Sequence, residues 1–260
     1  MEQIERLPIF IGLLIVMMLW EVLAPKRTIT QSRWQRWSAN FSLSILSALL
    51  MRFSLAGAAL WASAIVTEQH LGLLQLFNMP IWLSIVLALI LLDLAIYGQH
   101  RLSHYWPLLW RLHKVHHSDQ AFDVTTAIRF HPIEITFSMC YKVIVIFIIG
   151  ANIHSVLLFE VILSSCALFN HSNISIPISI DKYLRLLIVT PDMHRVHHSV
   201  INAETNSNYG FSISIWDRLF NSYIPQPEQG HDGVVIGLSQ YQQADDISLK
   251  RLILMPFTRP

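Results

Sequence analysis

The chain has 260 residues, of which 53% are hydrophobic and only 13% are charged, whereas soluble domains carry about 25% charged residues. This composition excludes an ordinary soluble protein, because so much apolar surface could not be kept in water, and it predicts an integral membrane protein. The formal net charge of +1 argues against nucleic acid as a partner, since phosphate binding needs a concentrated basic surface. Cys140 and Cys166 lie in apolar stretches, which is typical of buried cysteines, and they are too few for an iron–sulfur cluster.

Five apolar runs predict membrane helices. They are residues 7–20 with a continuation to 24, 41–66, 79–97, 135–150 and 153–170. Spanning the hydrocarbon takes about 20 helical residues, so the second and third runs suffice, the first is marginal and the last two are short. We therefore expect an all-α membrane bundle of about three spanning helices plus a hairpin that enters the bilayer without fully crossing it. The first run has acidic residues on both sides and no small-residue cleavage site, so it is interpreted as an anchor.

Basic residues predict the orientation of these helices. The link between the first two runs is basic, whereas residues 67–78 contain no Lys or Arg. The basic residues of the link are Lys26, Arg27, Arg33 and Arg36. Because such loops are retained in the cytoplasm, the chain is predicted to start outside, cross three times and bring the end of the third run to the cytoplasmic side.

Two pairs of charged residues lie at matching depths in the predicted hairpins. Lys142 and Glu160 are equidistant from one bend, and Arg52 and Asp93 are nearly equidistant from another. Charges inside a membrane are costly and usually paired, so each pair is a candidate ion pair. A basic side chain that reaches toward the lipid headgroups would give the same pattern.

Eight of the 13 histidines lie in three short boxes. The chain contains His113-Lys114-Val115-His116-His117-Ser118 and, later, His194-Arg195-Val196-His197-His198-Ser199, and His100 and His104 precede the first of these. Helical residues three or four apart share a face, so each box presents its imidazoles to one side. Pro107 predicts a helix break between the first two boxes, and Thr190-Pro191-Asp192 predicts a helix start before the last.

These boxes predict a metal site at one cytoplasmic surface. Eight neutral imidazoles are too many for one tetrahedral ion, so two metals are expected. Imidazole binds iron, zinc, copper and nickel, so residue type alone does not identify the metal. His131 and His171 border apolar runs near the boxes and are candidate further ligands. Three histidines without partners in the sequence are predicted not to be ligands: His70, His154 and His231.

Asp93 and Tyr97 share a helix face with His100 and His104. A ligating histidine usually donates its other ring N–H to a carboxylate or carbonyl, so Asp93 and Tyr97 are predicted to support the ligands. The alternative for Asp93 is a simple ion pair with Arg52.

A two-metal, histidine-rich site at a membrane face predicts an enzyme that activates O2 against C–H bonds of lipids. Two alternatives stay open. A metal-dependent hydrolase at the membrane would need a general base near an open metal position, and the box region offers Asp119, Asp123 and Asp192 but no H-E-x-x-H motif. A histidine-rich metal transporter would place its ligands along a transmembrane path, whereas these histidines are predicted to cluster at one face.

Further motifs accompany the boxes between Asp93 and Tyr223. They are Thr126-Ala127-Ile128-Arg129-Phe130-His131-Pro132-x-Glu134, Asn170-His171-Ser172-Asn173, Asn208-Tyr209-Gly210 and Trp216-Asp217-Arg218-Leu219-Phe220. With the three boxes, this region resembles the fatty acid hydroxylase/sterol desaturase superfamily of membrane di-iron oxygenases. One departure is Asn221-Ser222, where many relatives carry Gly-Thr, and it is expected to affect only a turn.

The resemblance implies two iron ions (Fe2+/Fe3+), O2 as co-substrate, and a helical fold with a cytoplasmic metal cap that hydroxylates or desaturates a lipid. It implies ligands at His100, His104, His113, His116, His117, His194, His197 and His198, adds His171 and His131, and gives Asn208 a supporting role. The sequence shows no dinucleotide loop, four-cysteine set or haem motif, so electrons are expected from an external cytochrome b5-like or ferredoxin-like donor or a reductase. The predicted regions are N-terminal membrane helices (1–80), a catalytic region (81–224) and a more polar cytoplasmic tail (225–260).

Overall fold

The computed structural model describes residues 2–243 and 247–258, with side chains from Arg6 onward. Within these ranges the backbone forms helices and three isolated β-bridges but no strand, which confirms the all-α prediction. The main helices are α1 (Glu2–Leu23), α2 (Arg33–Ser54), α3 (Ala58–Glu68), α4 (Ile81–Tyr105), α5 (Pro107–His117), α6 (Pro132–Ile149), α7 (Ile153–Asn170), α8 (Ile178–Leu184) and α9 (Pro191–His197). Shorter helices follow: α10 (Asn202–Thr205), α11 (Ile215–Leu219), α12 (Gly230–Gly233) and α13 (Leu249–Leu254).

Among the described residues, four helices are long and apolar enough to cross a membrane: α1 from Arg6, α4, α6 and α7. Helices α2 and α3 add a fifth candidate as a pair bent by 41°. The run predicted as one helix over 41–66 is therefore interrupted. The physical cause is Gly57, whose φ of 74° is a left-handed conformation that glycine adopts without steric cost.

The ends of the long helices place the histidine boxes together. Helix α4 runs without a break through His100 and His104, and α5 begins at Pro107, as predicted. Helix α6 starts after His131, and α7 ends immediately before His171. The last turn of α4, the first turn of α6 and the end of α7 therefore meet at one end of the bundle.

Helices α6 and α7 form the predicted hairpin, but each is long and apolar enough to cross a membrane, which the sequence analysis did not expect. Gly150 ends α6 with a φ of 79°, and the side chain of Asn152 caps α7 by accepting from the Ser155 amide at 3.0 Å. Lys142 of α6 lies 3.2 Å from Glu160 of α7, which confirms the first predicted ion pair. The second is wrong, because Asp93 accepts from the Trp216 indole at 2.8 Å and not from Arg52.

Gly72, in the turn before α4, packs directly against this hairpin. We expect this glycine to be essential for stability. A Cβ at Gly72, whose φ is 87°, would lie 2.4 Å from the Gly150 nitrogen. We expect Gly72→Ala to destabilise the protein by more than about 1 kcal/mol, measured by thermal unfolding in detergent. Gly98→Ala is the control, since nothing lies within 4 Å of its Cβ and alanine favours the helix. Equal melting temperatures for the two variants would contradict this close approach.

The segment after residue 225 packs back onto the helices, although its sequence carries no motif that indicates this. Leu238, Tyr241, Leu252 and Met255 share a buried cluster with Ala39, Leu43 and Val115. The Gly237 amide donates to the carbonyl of His198 at 2.9 Å. Part of the predicted tail therefore covers the last histidine box.

Candidate metal centre

Nine histidines converge into two groups. The first group consists of His100, His104, His113, His117 and His197, and the second consists of His116, His171, His194 and His198. Within each group, one ring nitrogen from every member lies within 4.8 Å of the others. The structure therefore brings together all eight box histidines and His171, in two groups that could each hold a metal ion.

The two repeated boxes exchange members between the groups. His113 and His117 of α5 belong to the first group, but His116 between them belongs to the second. The last box does the reverse, since His194 and His198 belong to the second group and His197 to the first. The boxes are in contact, with the ring centroids of His117 and His198 4.5 Å apart. Each box therefore links both groups.

Local sequence signals fix the helix starts that present these rings. Pro107 occupies the first turn of α5, where its missing N–H costs nothing. The Thr190 hydroxyl caps α9 by accepting from the Met193 amide at 3.4 Å, as the Thr-Pro-Asp sequence predicts.

Backbone carbonyls orient three of the imidazoles. Nδ1 of His100 lies 2.8 Å from the carbonyl of Tyr209, and Nδ1 of His197 lies 2.6 Å from that of Ser207. His171 does the same with Ala167 at 2.8 Å. A carbonyl can only accept, so these rings carry their proton on Nδ1 and leave Nε2 as a free lone pair.

The free nitrogens face one another. Nε2 of His197 lies 3.0 Å from Nε2 of His100, and neither carries a proton in this tautomer. Two opposed lone pairs at this distance repel unless a cation binds both. Ring nitrogens that bind one ion at about 2.1 Å are themselves about 3 Å apart. The donor set therefore fits a metal ion.

Buried nitrogens without partners support the same conclusion. Both ring nitrogens of His104, His117 and His198 lack a hydrogen-bond partner among the described residues. A buried polar group normally has one. Metal coordination would satisfy these groups.

The pKa values of the histidines favour ligation. Burial lowers the pKa of His197 to about 3 and that of His171 to about 4, from an ordinary value of 6.5. Burial and the neighbouring His116 lower that of His198 in the same direction. These imidazoles are neutral at physiological pH, which is the form that binds metals.

Glu134 is a supporting carboxylate that the sequence analysis did not single out. Its Oε1 accepts from Nδ1 of His113 at 2.6 Å. This is the carboxylate–histidine contact that orients metal ligands, and the role had been predicted for Asp93. The sequence signal for it was the motif His131-Pro132-x-Glu134, which places Glu134 in the first turn of α6.

His131 lies outside both groups. Its Nδ1 accepts from the Ile133 amide at 3.2 Å and so caps α6, and its Nε2 lies 3.3 Å from the carbonyl of Ile253. Both ring nitrogens are used in these contacts. The structure therefore does not bring His131 together with the nine clustered histidines.

Asp93 and Tyr97 also lie away from the imidazoles. Asp93 accepts from Trp216 and from the Ile213 amide at 3.1 Å, while the Tyr97 hydroxyl lies 2.8 Å from that of Ser222. Neither side chain therefore forms a hydrogen bond with a clustered histidine among the described residues. Asp93 and Tyr97 instead attach the segment 211–222 to α4. This segment packs on the same face of α4 that carries His100.

Asn208 and Asp217 brace the loop that supplies the two orienting carbonyls of Ser207 and Tyr209. The Asn208 amide donates to the carbonyl of Met193 at 2.9 Å, and Asp217 accepts from the Tyr209 amide at 2.8 Å. Asn208 has a φ of 49°, which asparagine tolerates better than most residues. Asn208 therefore acts on the histidines through the backbone.

Asp119, Asp123 and Asp192, the candidate general bases for a hydrolase, all form ion pairs. Arg36 of α2 lies 2.7 Å from both Asp119 and Asp123, with all three side chains buried. Burial would raise the pKa of Asp119, but the charges of Arg36 and Arg129 hold it below its usual range. Asp192 pairs with Arg195. A free general base for hydrolysis is absent from this set.

Arg129 connects that network to the box His113-Lys114-Val115-His116-His117-Ser118. Its Nε donates to the carbonyl of Val115 at 2.9 Å, and its Nη2 donates to the Ser118 hydroxyl at 2.8 Å. These two residues flank His116 and His117. The network thus fixes the end of α5 from the α2 side.

A cavity of about 210 Å³ lies against both groups. His100 and His113 of the first group and His116 and His194 of the second line it. Most of its remaining wall is aliphatic or aromatic and comes from α4, α6 and α7. A hydrophobic molecule could therefore reach both candidate metals from between the membrane helices.

Comparison with known families agrees with this geometry. The fatty acid hydroxylase family model matches residues 85–222, which is 138 of the 260 residues. The chain belongs to the fatty acid hydroxylase family. The match includes all nine clustered histidines, and with its apolar helices the family member is a multi-pass membrane protein.

Two curated relatives are informative for this family member. The ornithine lipid hydroxylase OlsE of Rhizobium tropici is 32% identical over 157 residues, covering 60% of this chain and 46% of the relative. The alkylglycerol monooxygenase of Homo sapiens is 28% identical over 175 residues, covering 64% of this chain and 36% of the relative. The chain thus spans less than half the length of either. No solved structure matches it.

The departure at Asn221-Ser222 is explained by the backbone. Asn221 has a φ of 54°, a conformation that suits the glycine expected from the resemblance and that asparagine also adopts. The Ser222 hydroxyl donates to Asp217 at 2.7 Å, as a threonine hydroxyl could. The difference is therefore accommodated within the turn.

Proposed function

We propose that this protein is a membrane-bound di-iron oxygenase that uses O2 to hydroxylate a C–H bond of a lipid. The observation that carries the proposal is the cavity that meets histidines of both groups and is otherwise largely apolar. It lies between helices that are apolar enough to cross a membrane. A lipid can enter such a site laterally from the bilayer.

The two histidine groups would each hold one iron ion. Bound iron would supply the activation of O2, and family membership favours iron over the other metals that imidazole binds. The five-histidine group, from α4, α5 and α9, and the four-histidine group, from α5, α9 and the residues that directly follow α7 and α9, would provide the ligands. Glu134 orients His113, and the carbonyls of Ser207 and Tyr209 orient His197 and His100.

Hydroxylation is favoured over desaturation by the names of the relatives, which are a hydroxylase and a monooxygenase. In this reaction one oxygen atom enters a C–H bond, and the other leaves as water after taking up two electrons and two protons. In this proposal an external donor would supply the two electrons. The apolar cavity wall would exclude bulk water from the reacting carbon.

The proposed orientation places the histidine groups on the cytoplasmic side. The basic link that contains Lys26 and Arg27 lies at the same end of the bundle as His171, because the Lys26 amide donates to the carbonyl of Asn173. Positive loops are retained in the cytoplasm. The proposal also keeps the three predicted regions of the chain: N-terminal membrane helices (1–80), a catalytic region (81–224) and a C-terminal segment (225–260).

The test uses the full chain in detergent, loaded with Fe2+ and supplied with total membrane lipid, reductant and isotopically labelled O2. We expect a lipid that gains one labelled oxygen atom only when both O2 and reductant are present. His117→Ala is the matched negative control. Hydrolysed lipid formed without O2, or metal transport across vesicles without a modified lipid, would overturn the proposal.

A further inference from the structure

Two short segments expose large apolar side chains, although each is far shorter than the about 20 helical residues that cross a membrane. They are residues 178–187, which include α8, and residues 215–220, which include α11. Leu187 is 73% exposed and Leu219 is 62% exposed. The other exposed side chains of this kind are Ile178, Ile180, Tyr183, Leu186, Ile215 and Phe220. An exposed apolar patch marks a surface that contacts a partner or a membrane.

Hydrogen bonds join the two segments. The Ser214 amide donates to the carbonyl of Leu187 at 3.2 Å. Nη2 of Arg218 donates to the carbonyl of Arg185 at 2.7 Å. The two segments and their connections to each other therefore form one α8–α11 element, which consists of residues 178–189 and 211–220.

The α8–α11 element is attached to the side of α4. Asp93 accepts from the Trp216 indole at 2.8 Å, and the Tyr97 ring stacks on Phe220 with ring centroids 5.4 Å apart. Asp93 and Tyr97 belong to Ile81–Tyr105, a helix that is long and apolar enough to cross a membrane. The element therefore packs beside a candidate membrane span.

The length of α4 places this attachment below the membrane surface. The hydrocarbon takes about 20 helical residues, so a span that begins at Ile81 leaves it near Arg101. Tyr105 and Trp106 follow this point and are exposed, as is typical of aromatic residues at a membrane interface. Asp93 lies eight residues before Arg101, which is about 12 Å at helical rise. The contacts with α4 therefore lie within the hydrocarbon layer nearest the histidines.

The charges of the α8–α11 element agree with this depth. Its two acidic side chains are buried, since Asp181 pairs with Arg185 and Asp217 accepts from backbone amides. Lys182 is exposed, and its ammonium lies 4.7 Å from the centre of the Tyr183 ring. A lysine at the edge of an apolar surface can reach the lipid phosphates while its aliphatic part stays in the apolar region. Neither residues 178–189 nor residues 211–220 expose an acidic group that would oppose this contact.

We propose that the α8–α11 element is a second kind of membrane anchor, which enters one leaflet beside α4 without crossing the bilayer. Its exposed apolar side chains contact lipid acyl chains, and Lys182 lies at the level of the headgroups. The attachment to α4 favours lipid over a soluble protein as the partner, because it holds the element at a depth where acyl chains replace water. This inference goes beyond the proposed oxidation and does not depend on it.

The anchor is connected to the candidate metal centre through Phe211. The Phe211 ring lines the histidine cavity, and its centre lies 6.4 Å from that of the His100 ring. The Phe211 carbonyl accepts from the side chain of Asn170 at 2.8 Å, at the end of α7. One wall of the histidine cavity is therefore continuous with a surface that contacts lipid in this proposal.

Spin labels on the full chain in lipid vesicles test the depth of the element. The labels are attached at Leu187→Cys or Leu219→Cys in a background that carries Cys140→Ala and Cys166→Ala. Ile144→Cys on the exposed side of α6 is the control for lipid contact, and Gln240→Cys, which is exposed in the C-terminal segment, is the control for water contact. The measurement is collision of each label with O2, which concentrates in hydrocarbon, and with a water-soluble nickel chelate.

We expect the ratio of O2 to nickel collisions at both test positions to match that of Ile144→Cys and to exceed that of Gln240→Cys at least about 10-fold, because the hydrocarbon excludes polar reagents. A ratio like that of Gln240→Cys would overturn the proposal. Labels that neither reagent reaches would also overturn it, since they would indicate that a second copy of the chain or another protein covers the surface.

A photoactivatable lipid tests the same surface in the unaltered chain. Phosphatidylcholine with a diazirine in the middle of one acyl chain would be irradiated in vesicles that contain the protein, and labelled peptides would be identified by mass spectrometry. We expect label in residues 178–187 and 215–220 as well as in α4 and α6. Label in these helices without label in either segment would overturn the proposal. Neither experiment needs iron or turnover, so failure of the proposed lipid oxidation would be recognised separately.

Discussion

Replacement of His198 by alanine is expected to remove one of the two bound irons and to lower hydroxylation by more than about 100-fold. The reason is that His198 is fully buried, neither ring nitrogen has a partner, and it belongs to the four-histidine group. Loss of a residue that supports a ligand already lowers metal affinity or activity by about 10–100-fold. Loss of a direct ligand should lower them further. Iron content per chain and product formation are the measurements.

His131→Ala is the control for this variant. The sequence places His131 among the ligands, whereas the structure places it at the start of α6. We expect His131→Ala to keep both irons and to lose only about 1 kcal/mol of stability, as for a helix cap. An iron content that falls in His131→Ala and persists in His198→Ala would contradict the two groups.

Arg36→Ala is expected to destabilise the protein by about 3–5 kcal/mol, because it leaves buried carboxylates without their cation. Arg36 is fully buried and contacts Asp119 and Asp123. We also expect loss of iron from the purified variant, since Asp119 belongs to the network that Arg129 connects to the end of α5, where His116 and His117 lie. Unfolding in denaturant, followed by circular dichroism in detergent, measures the free energy.

Arg33→Ala is the matched control for Arg36→Ala. It removes the same side chain from the same helix one turn earlier, but Arg33 is exposed. Its expected effect is within about 0.5 kcal/mol. If the two variants unfold alike, the buried network does not stabilise the end of α5.

The histidine spacing predicts which rings share a helix face but not how they divide between two metals. His113, His116 and His117 all point to one side of α5, yet His116 joins the other group. That division depends on how α5 and α9 pack against each other. Helical periodicity contains no information about this packing, so only the convergence could be predicted.

The supporting contacts were harder to predict for a physical reason. Two of the orienting groups are the carbonyls of Ser207 and Tyr209. Every residue has a backbone carbonyl, so residue type does not show which carbonyls orient a histidine. Asp93 was correctly placed on the face of His100, but a carboxylate binds the nearest donor, and Trp216 arrives from a distant loop. Side-chain type predicts chemistry, while partners at long sequence separation depend on the fold.

The membrane helices show the same limit. Apolar length predicted α4 and the α6–α7 hairpin, because hydrocarbon thickness sets helix length. The break at Gly57 was missed, since glycine is common within membrane helices. Lys142 and Glu160 were paired correctly because an antiparallel hairpin fixes their relative depth, whereas Arg52 and Asp93 belong to a less regular connection that contains a bend.

Anomalous diffraction at the iron edge, from crystals of the iron-loaded protein, tests the central claim most directly. We predict two peaks, one among His100, His104, His113, His117 and His197 and the other among His116, His171, His194 and His198. A single peak, or a peak bound by His131, would contradict the proposed pair of metal sites.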